Sequence, residues 1–367
     1  MGRAGALGPR ATPIFAMPPL RPSVLHRRRR ALLLGALAAG VGAWAGAARA
    51  RVERPRLTLA VGGKGGFYFL PLTLAEQLGY FREEGLDLSI QDLPGGGRAL
   101  QALQSGSVDL AAGSYEHTIA QQARGQWLQA FVQMGRAPQT VFGVSHRALP
   151  NYREPTDLIG RRIGVATLGP PSQVLVQRVL ARAGMLPGDV QFVDVGSPSE
   201  ALGYFRAGQI DAISYPEPLI TLLEQRSELR LLADTRTLRG TYEVFGGPMP
   251  AACFYAPLEF VQRNPETCQA LTSAVVRALK WLQTAGPGDL LKAVPERYLL
   301  GDRSLYLESF FKLREAFSPD GLMPEDGART ALRVLAQTDP LVRMDRIDLA
   351  RTVTNDFAYK ARLRYRL

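Results

Sequence analysis

From residue 56 the chain alternates short apolar runs with stretches of helical period, the pattern of a mostly parallel sheet with helices packed on it. Residues 57–61 predict a first strand. The Gly62-Gly63-Lys64-Gly65-Gly66 loop follows, then a helix that opens near Pro71 and stops at Gly79. Residues 86–90 predict a second strand. Gly95-Gly96-Gly97 opens a helix carrying Ala99, Leu100 and Leu103, and Gly106 closes it before a strand at 108–112. A second unit begins at Asp157, with a strand at 163–166, a helix at 173–183 closed by Gly184, and a strand at 190–195. Ser197-Pro198-Ser199-Glu200 then specifies a helix start, with a capping serine, a first-turn proline and a glutamate at the third position. That helix runs to Gly208, before a strand at 210–214.

The two units superpose in sequence. Ala99, Leu100, Leu103, Gly106 and Asp109 correspond to Ala201, Leu202, Phe205, Gly208 and Asp211 at a constant offset. Both strands then end in Ser-Tyr, as Ser114-Tyr115-Glu116 and Ser214-Tyr215-Pro216-Glu217. Two lobes on one plan are predicted, lobe one from residues 55–150 plus 246–367 and lobe two from 151–245. After residue 264 the pattern is helical, at 265–282, 289–299, 305–317 and 324–336. A tail of that kind forms no sheet of its own, and is expected to pack back on lobe one.

The first fifty residues change the picture of charge. They hold no Asp or Glu and run from Arg27-Arg28-Arg29-Arg30 through a small and apolar stretch to Ala48-Arg49-Ala50, the order of an export signal with its cleavage site. Residues 1–50 are therefore expected to be a signal peptide, leaving the mature protein in the periplasm by the Sec or Tat route. Of the 44 Lys and Arg, eight lie in this segment, so 36 face 33 Asp and Glu in the rest. The basicity belongs mostly to the signal, and no basic stripe argues for nucleic acid. The two cysteines, Cys253 and Cys268, are equally compatible with a disulfide and with two buried thiols.

The inventory of reactive groups argues against catalysis. His117 and His146 have no Ser, Cys or carboxylate partner at a catalytic spacing, and the glycine loop lacks the end of a P-loop. No nucleophile elbow is present, and no metal or cofactor is expected. What remains is binding geometry. Ligands in open α/β sheets sit beyond the carboxyl ends of strands. That rule selects Gly66, Phe67 and Tyr68 after the first strand, Ser114 and Tyr115 after the third, Thr167 and Ser172 in lobe two, and Tyr215 with Glu217. The glycine loop is expected to bring main-chain N–H groups to the ligand. Glu217 has a plainer reading as the cap of the helix that follows it.

These residues carry a resemblance. Gly66-Phe67-Tyr68, the string Leu78-Gly79-Tyr80-Phe81-x-x-Glu84-Gly85-Leu86-Asp87, Pro94-Gly95-Gly96, and Asp157-Leu158-x-Gly160-x-x-Ile163-Gly164-Val165 resemble periplasmic binding proteins for nitrate, sulfonates, taurine and thiamine precursors. The resemblance implies a type II binding-protein fold, two α/β lobes with an interlobe cleft, and the role of solute-binding component of an ABC importer. It implies a small-molecule ligand and a membrane permease as partners, with the protein expected to act as a monomer. The alternatives are an enzyme like the thiamine-pyrimidine synthases, or an extracytoplasmic sensor. In the lobe-two loop, Pro170 and Pro171 supply no N–H, which argues against a small oxyanion there.

Overall fold

The computed structural model describes residues 52–366 except 167 and 169–171, and of Ser172 only the backbone. The expected signal peptide and Thr167 lie outside the described residues. Ten strands are present: β1 Arg56–Gly62, β2 Asp87–Leu93, β3 Leu110–Ser114, β4 Leu128–Gln133, β5 Thr140–Ser145, β6 Arg162–Val165, β7 Gln191–Asp194, β8 Ala212–Pro216, β9 Leu229–Asp234 and β10 Ala252–Pro257. They form two five-stranded sheets, ordered β2-β1-β3-β10-β4 and β7-β6-β8-β5-β9. In each sheet three parallel strands are followed by an antiparallel one, β10 against β3 and β5 against β8. The sheets are copies of one plan. Even the strand-start aspartates match: Asp109 accepts from the Thr58 amide at 2.8 Å, and Asp211 from the Arg162 amide at 2.9 Å.

The longer helices are α1 Leu70–Gln77, α2 Gly96–Gln104, α3 Glu116–Gln122, α4 Ser172–Arg182, α5 Pro198–Arg206, α6 Leu219–Gln225, α7 Leu238–Phe245, α8 Pro265–Thr284, α9 Arg303–Leu313, α10 Gly327–Thr338 and α11 Asp356–Tyr365. α5 begins as its sequence specifies. The Ser197 amide donates to Glu200 at 2.8 Å and Ser197 Oγ accepts from the Glu200 amide at 3.4 Å, a reciprocal cap of the kind that contributes about 1 kcal/mol. In α2 the buried face is Ala99, Leu100 and Leu103. β3 is buried at every position, as a strand covered on both faces must be, whereas the edge strand β2 is exposed at alternate positions.

Two expectations are revised. The sheets change between Gln133 and Thr140, so the division expected at residue 150 does not coincide with the change of sheet. The apolar run of β5 belongs to the second sheet but enters it antiparallel, outside the strand-helix-strand repeat from which the boundary was read. The chain crosses at residues 134–139 and returns at 246–251. The tail packs on lobe one through α8 and α11, whose buried residues Leu271, Val275 and Ala361 join the core beneath β1. Its middle helices also reach lobe two. Lys312 of α9 pairs with Glu224 of α6 at 3.0 Å, and Arg178 of α4 donates to Gln337 of α10 at 2.7 Å. Among the described residues no helix is long and apolar enough to cross a membrane.

Candidate functional site

Because β1, β3, β6 and β8 end on the side where the two crossings lie, their last residues and the crossing segments form a neighbourhood. Ser114 at the end of β3 is paired with Ala252 of β10, and the Ala252 carbonyl accepts from the Gly135 amide of the first crossing at 3.0 Å. Ser114 Oγ donates to Glu116 at 2.5 Å. Burial pushes the Glu116 carboxyl up to about 7, against the lowering effect of Ser114, and among the described residues no cation is ion-paired with it. Tyr68 reaches the same place. Its hydroxyl is buried without a hydrogen bond of good geometry, although Ser114 and Glu116 lie close enough to act on its acidity, which burial suppresses strongly.

His117 stands one residue on, with Nδ1 2.9 Å from the Tyr255 hydroxyl. Gly113 makes this possible. A Cβ there would lie 2.8 Å from the Tyr255 hydroxyl oxygen and 3.2 Å from His117 Nδ1. Burial brings the imidazole down to about 4, so it is neutral at pH 7. His117 and Glu116 help to line a cavity of about 440 Å³, together with Gln173, Val174 and Gln177 of α4 and the end of α10. The cavity thus lies between an element of each lobe. Its arginine, Arg124, is bound to Asp339 at 2.8 Å.

Of the residues selected from sequence, Tyr68 and Ser114 come together. Phe67 serves packing instead: its ring stacks on Tyr306 of α9, with centroids 4.5 Å apart. The glycine loop is turned inward. The amides of Gly63 and Lys64 donate to Asp92 at 3.0 and 2.8 Å, and that of Gly66 to the Gly63 carbonyl, so these N–H groups are already used. Tyr115 is wholly buried and its hydroxyl bonds Thr352 at 2.6 Å, which makes it a core residue. Tyr215 lies in the lobe-two core and donates to the Gly196 carbonyl at 2.7 Å. Glu217 is spent on the protein. One oxygen accepts from Thr221 Oγ at 2.8 Å and Arg236 at 2.6 Å, the other from the Thr221 amide at 2.9 Å. The capping reading holds, and neither Tyr215 nor Glu217 turns a free group to a ligand. Alternation explains Tyr215, since it shares a strand face with Ile213 of the same core. Thr167 lies outside the described residues, and the side chain of Ser172 is likewise not described.

Sequence reasoning missed the crossing segment. Gln139 is 2% exposed, yet neither its Oε1 nor its Nε2 is hydrogen-bonded, and the Oε1 of Gln133 is also unpaired. Buried polar groups are normally satisfied, and these two glutamines are exceptions, as are Gln269 and Thr272 of α8. No spacing motif could have found Gln139. A glutamine between strands reads as an ordinary loop residue. Among the described residues no group of His, Cys, Asp and Glu is arranged to hold a metal. Cys253 and Cys268 are free and buried, and burial raises both thiols.

Two mixed five-stranded sheets joined by two crossings, with a cavity between their helices, define the type II periplasmic binding-protein fold. Residues 66–285 match the family described as NMT1/THI5 like, more than half of the chain, and the protein belongs to that family. It is 47% identical to a protein of Bordetella bronchiseptica RB50 whose solved structure covers 86% of this chain and 100% of its own, with a TM-score of 0.82. A protein of Bacillus subtilis described as the putative binding protein YtlA is 23% identical over 70% of this chain and 76% of its own length. The alkanesulfonate-binding protein SsuA from Xanthomonas axonopodis pv. citri, solved bound to MOPS, shares the fold at 21% identity, with a TM-score of 0.62 over 83% of this chain and 100% of its own.

Proposed function

We propose that the protein is the solute-binding component of an ABC-type importer, holding a small organic molecule between its lobes in the periplasm. The observation that carries this reading is the pair of buried carboxamides with unpartnered atoms, on Gln133 and Gln139, both beside Gly135 of the first crossing. A hydroxyl or carboxamide buried without a partner is destabilising, and a ligand that completes its hydrogen bonds removes that penalty. Separately, a cavity lined by α3 of lobe one and α4 of lobe two offers a small molecule walls from both lobes, so that closure and binding would be linked. Catalysis is poorly supported by the chemistry at hand. Both cysteines are buried with raised thiol pKa values, and His117 is paired with Tyr255 rather than with a nucleophile. Native mass spectrometry of gently purified protein tests the reading. One small molecule per chain, released unchanged on denaturation, is the expected result. A chain that is empty from every growth medium, or that converts the molecule on incubation, would overturn it.

A further inference from the structure

Gln139 combines an uncommon backbone conformation with a buried, unpartnered carboxamide. It sits at the end of the crossing between β4 and β5 with φ of 61°, a left-handed conformation that a glutamine adopts only under constraint. The constraint is visible. Its amide donates to the Thr235 carbonyl at 3.1 Å, which ties the crossing to the end of β9. The side chain is buried, and both ends of its carboxamide are unpartnered. Nε2 lies 3.3 Å from where a Cβ on Gly135 would stand, and that point is 3.6 Å from the Ala252 Cβ. Ala252 is paired with Ser114, beside the unpaired Tyr68 hydroxyl. The carboxamide of Gln139 and the phenol of Tyr68 therefore approach the same Ser114–Ala252 pair, one from the crossing and one from the loop after β1.

The chemistry offered there is an NH2 donor group and a C=O acceptor on a single planar carboxamide. Among the described residues Glu116 has no cationic partner, Arg124 of the cavity is committed to Asp339, and Arg136 of the crossing donates to the Glu315 carbonyl. A bare oxyanion would bury its charge beside the Glu116 carboxyl group. Resting on the solute-binding reading above, we propose that Gln139 is a ligand-reading residue at the first crossing. Its carboxamide takes a paired N–H and C=O edge from an uncharged ligand, as a lactam or a carboxamide presents. Because Gln139 belongs to the crossing itself, the same contact fixes the hinge when the ligand is bound.

Isothermal titration of the full chain with uracil and nicotinamide, as uncharged lactam and carboxamide probes, against nitrate and methanesulfonate, as oxyanion probes, tests this. Two variants accompany it. Gln139→Glu keeps the shape and removes the donor, and Gln139→Gly accepts the left-handed backbone and removes the side chain. The expected result is binding of an uncharged probe that weakens at least tenfold in both variants, while thermal unfolding of Gln139→Gly is no lower than that of the parent. Binding of an oxyanion probe in place of the uncharged ones, or an uncharged probe whose affinity neither variant changes, overturns the assignment. If no probe binds, the lactam and carboxamide class is overturned. The solute-binding reading then stands or falls separately, on whether native mass spectrometry finds another bound molecule.

Discussion

The two lobes are copies in backbone and opposites in chemistry. Each has a serine, a tyrosine and a glutamate at the end of its third parallel strand, as Ser114, Tyr115 and Glu116 and as Ser214, Tyr215 and Glu217. In lobe two the glutamate meets Arg236, which also binds Asp234 and Glu224, and the ion network is closed. In lobe one the equivalent glutamate has a serine hydroxyl and no cation among the described residues, and the Tyr68 hydroxyl beside it lacks a hydrogen bond of good geometry. A duplicated fold thus need not carry a duplicated site. One copy uses its strand end to hold its own helices together, and the other keeps its strand end chemically open.

The largest effect expected from breaking that contrast comes from Arg236→Met. Glu217 and Arg236 have side chains 0% and 4% exposed, so removing the cation leaves a carboxylate buried beside Glu224 and Asp234. Loss of one partner of a buried pair costs about 3–5 kcal/mol, and urea unfolding should show a loss of that size. Adding Glu217→Gln to Arg236→Met should recover part of it. No recovery would mean that Arg236 acts mainly through its other two partners.

Next in size is a difference in pH response. Glu116 is raised to about 7 from an ordinary value near 4.5, so between those pH values the folded state holds a proton that the unfolded state has lost. Stability falls as pH rises through that window. His117 is lowered to about 4 from 6.5, so the unfolded state binds the extra proton, and stability falls as pH drops from 6.5 to 4. The two slopes oppose each other between about 4.5 and 6.5. Each shift corresponds to about 3 kcal/mol, with His117 at the lower side because its ring faces the cavity. Glu116→Gln should remove the loss between pH 4.5 and 7 and leave the acid lability of His117 exposed. His117→Gln should do the reverse. Melting temperatures from pH 4 to 8 check both, and parallel curves for parent and variants would refute the assignment of these shifts.

How much of this was legible in the sequence depends on the kind of signal. The strand-helix repeat, the cap at Ser197 and the offset linking Asp109 to Asp211 are local patterns, and the structure contains each of them. The antiparallel strand β5 was not legible, because an apolar run does not announce which sheet it joins. The rule about strand ends selected Tyr68 and Ser114, which lie close together, and Tyr115, Tyr215 and Glu217, whose polar groups are bonded within the protein. Strand-end position places a residue but does not say which face it takes or whether a distant arginine has already claimed it. Gln139 was invisible for a related reason: its role rests on what its amide lacks, and only coordinates show that.

The smallest effect expected also separates the lobes most finely. Tyr115 and Tyr215 occupy matching positions and both bury a phenol, but Tyr115 bonds the Thr352 hydroxyl of the tail, and Tyr215 bonds the Gly196 carbonyl within its own lobe. Replacing either by phenylalanine keeps the ring and deletes one hydrogen bond. A neutral bond of this kind contributes about 1 kcal/mol. Thr352 Oγ1 also donates to the Leu349 carbonyl at 2.7 Å, so it keeps a partner when Tyr115 loses its hydroxyl. The Gly196 carbonyl, just before the start of α5, has no other hydrogen bond among the described residues, so Tyr215→Phe should cost the same or slightly more. Neither change should alter affinity for the bound solute, since neither hydroxyl is free to meet it. Equal small losses by urea titration with unchanged ligand retention would confirm that both tyrosines are structural. A tenfold loss of affinity in either variant, with stability intact, would return that tyrosine to the site and dissolve the contrast at that position.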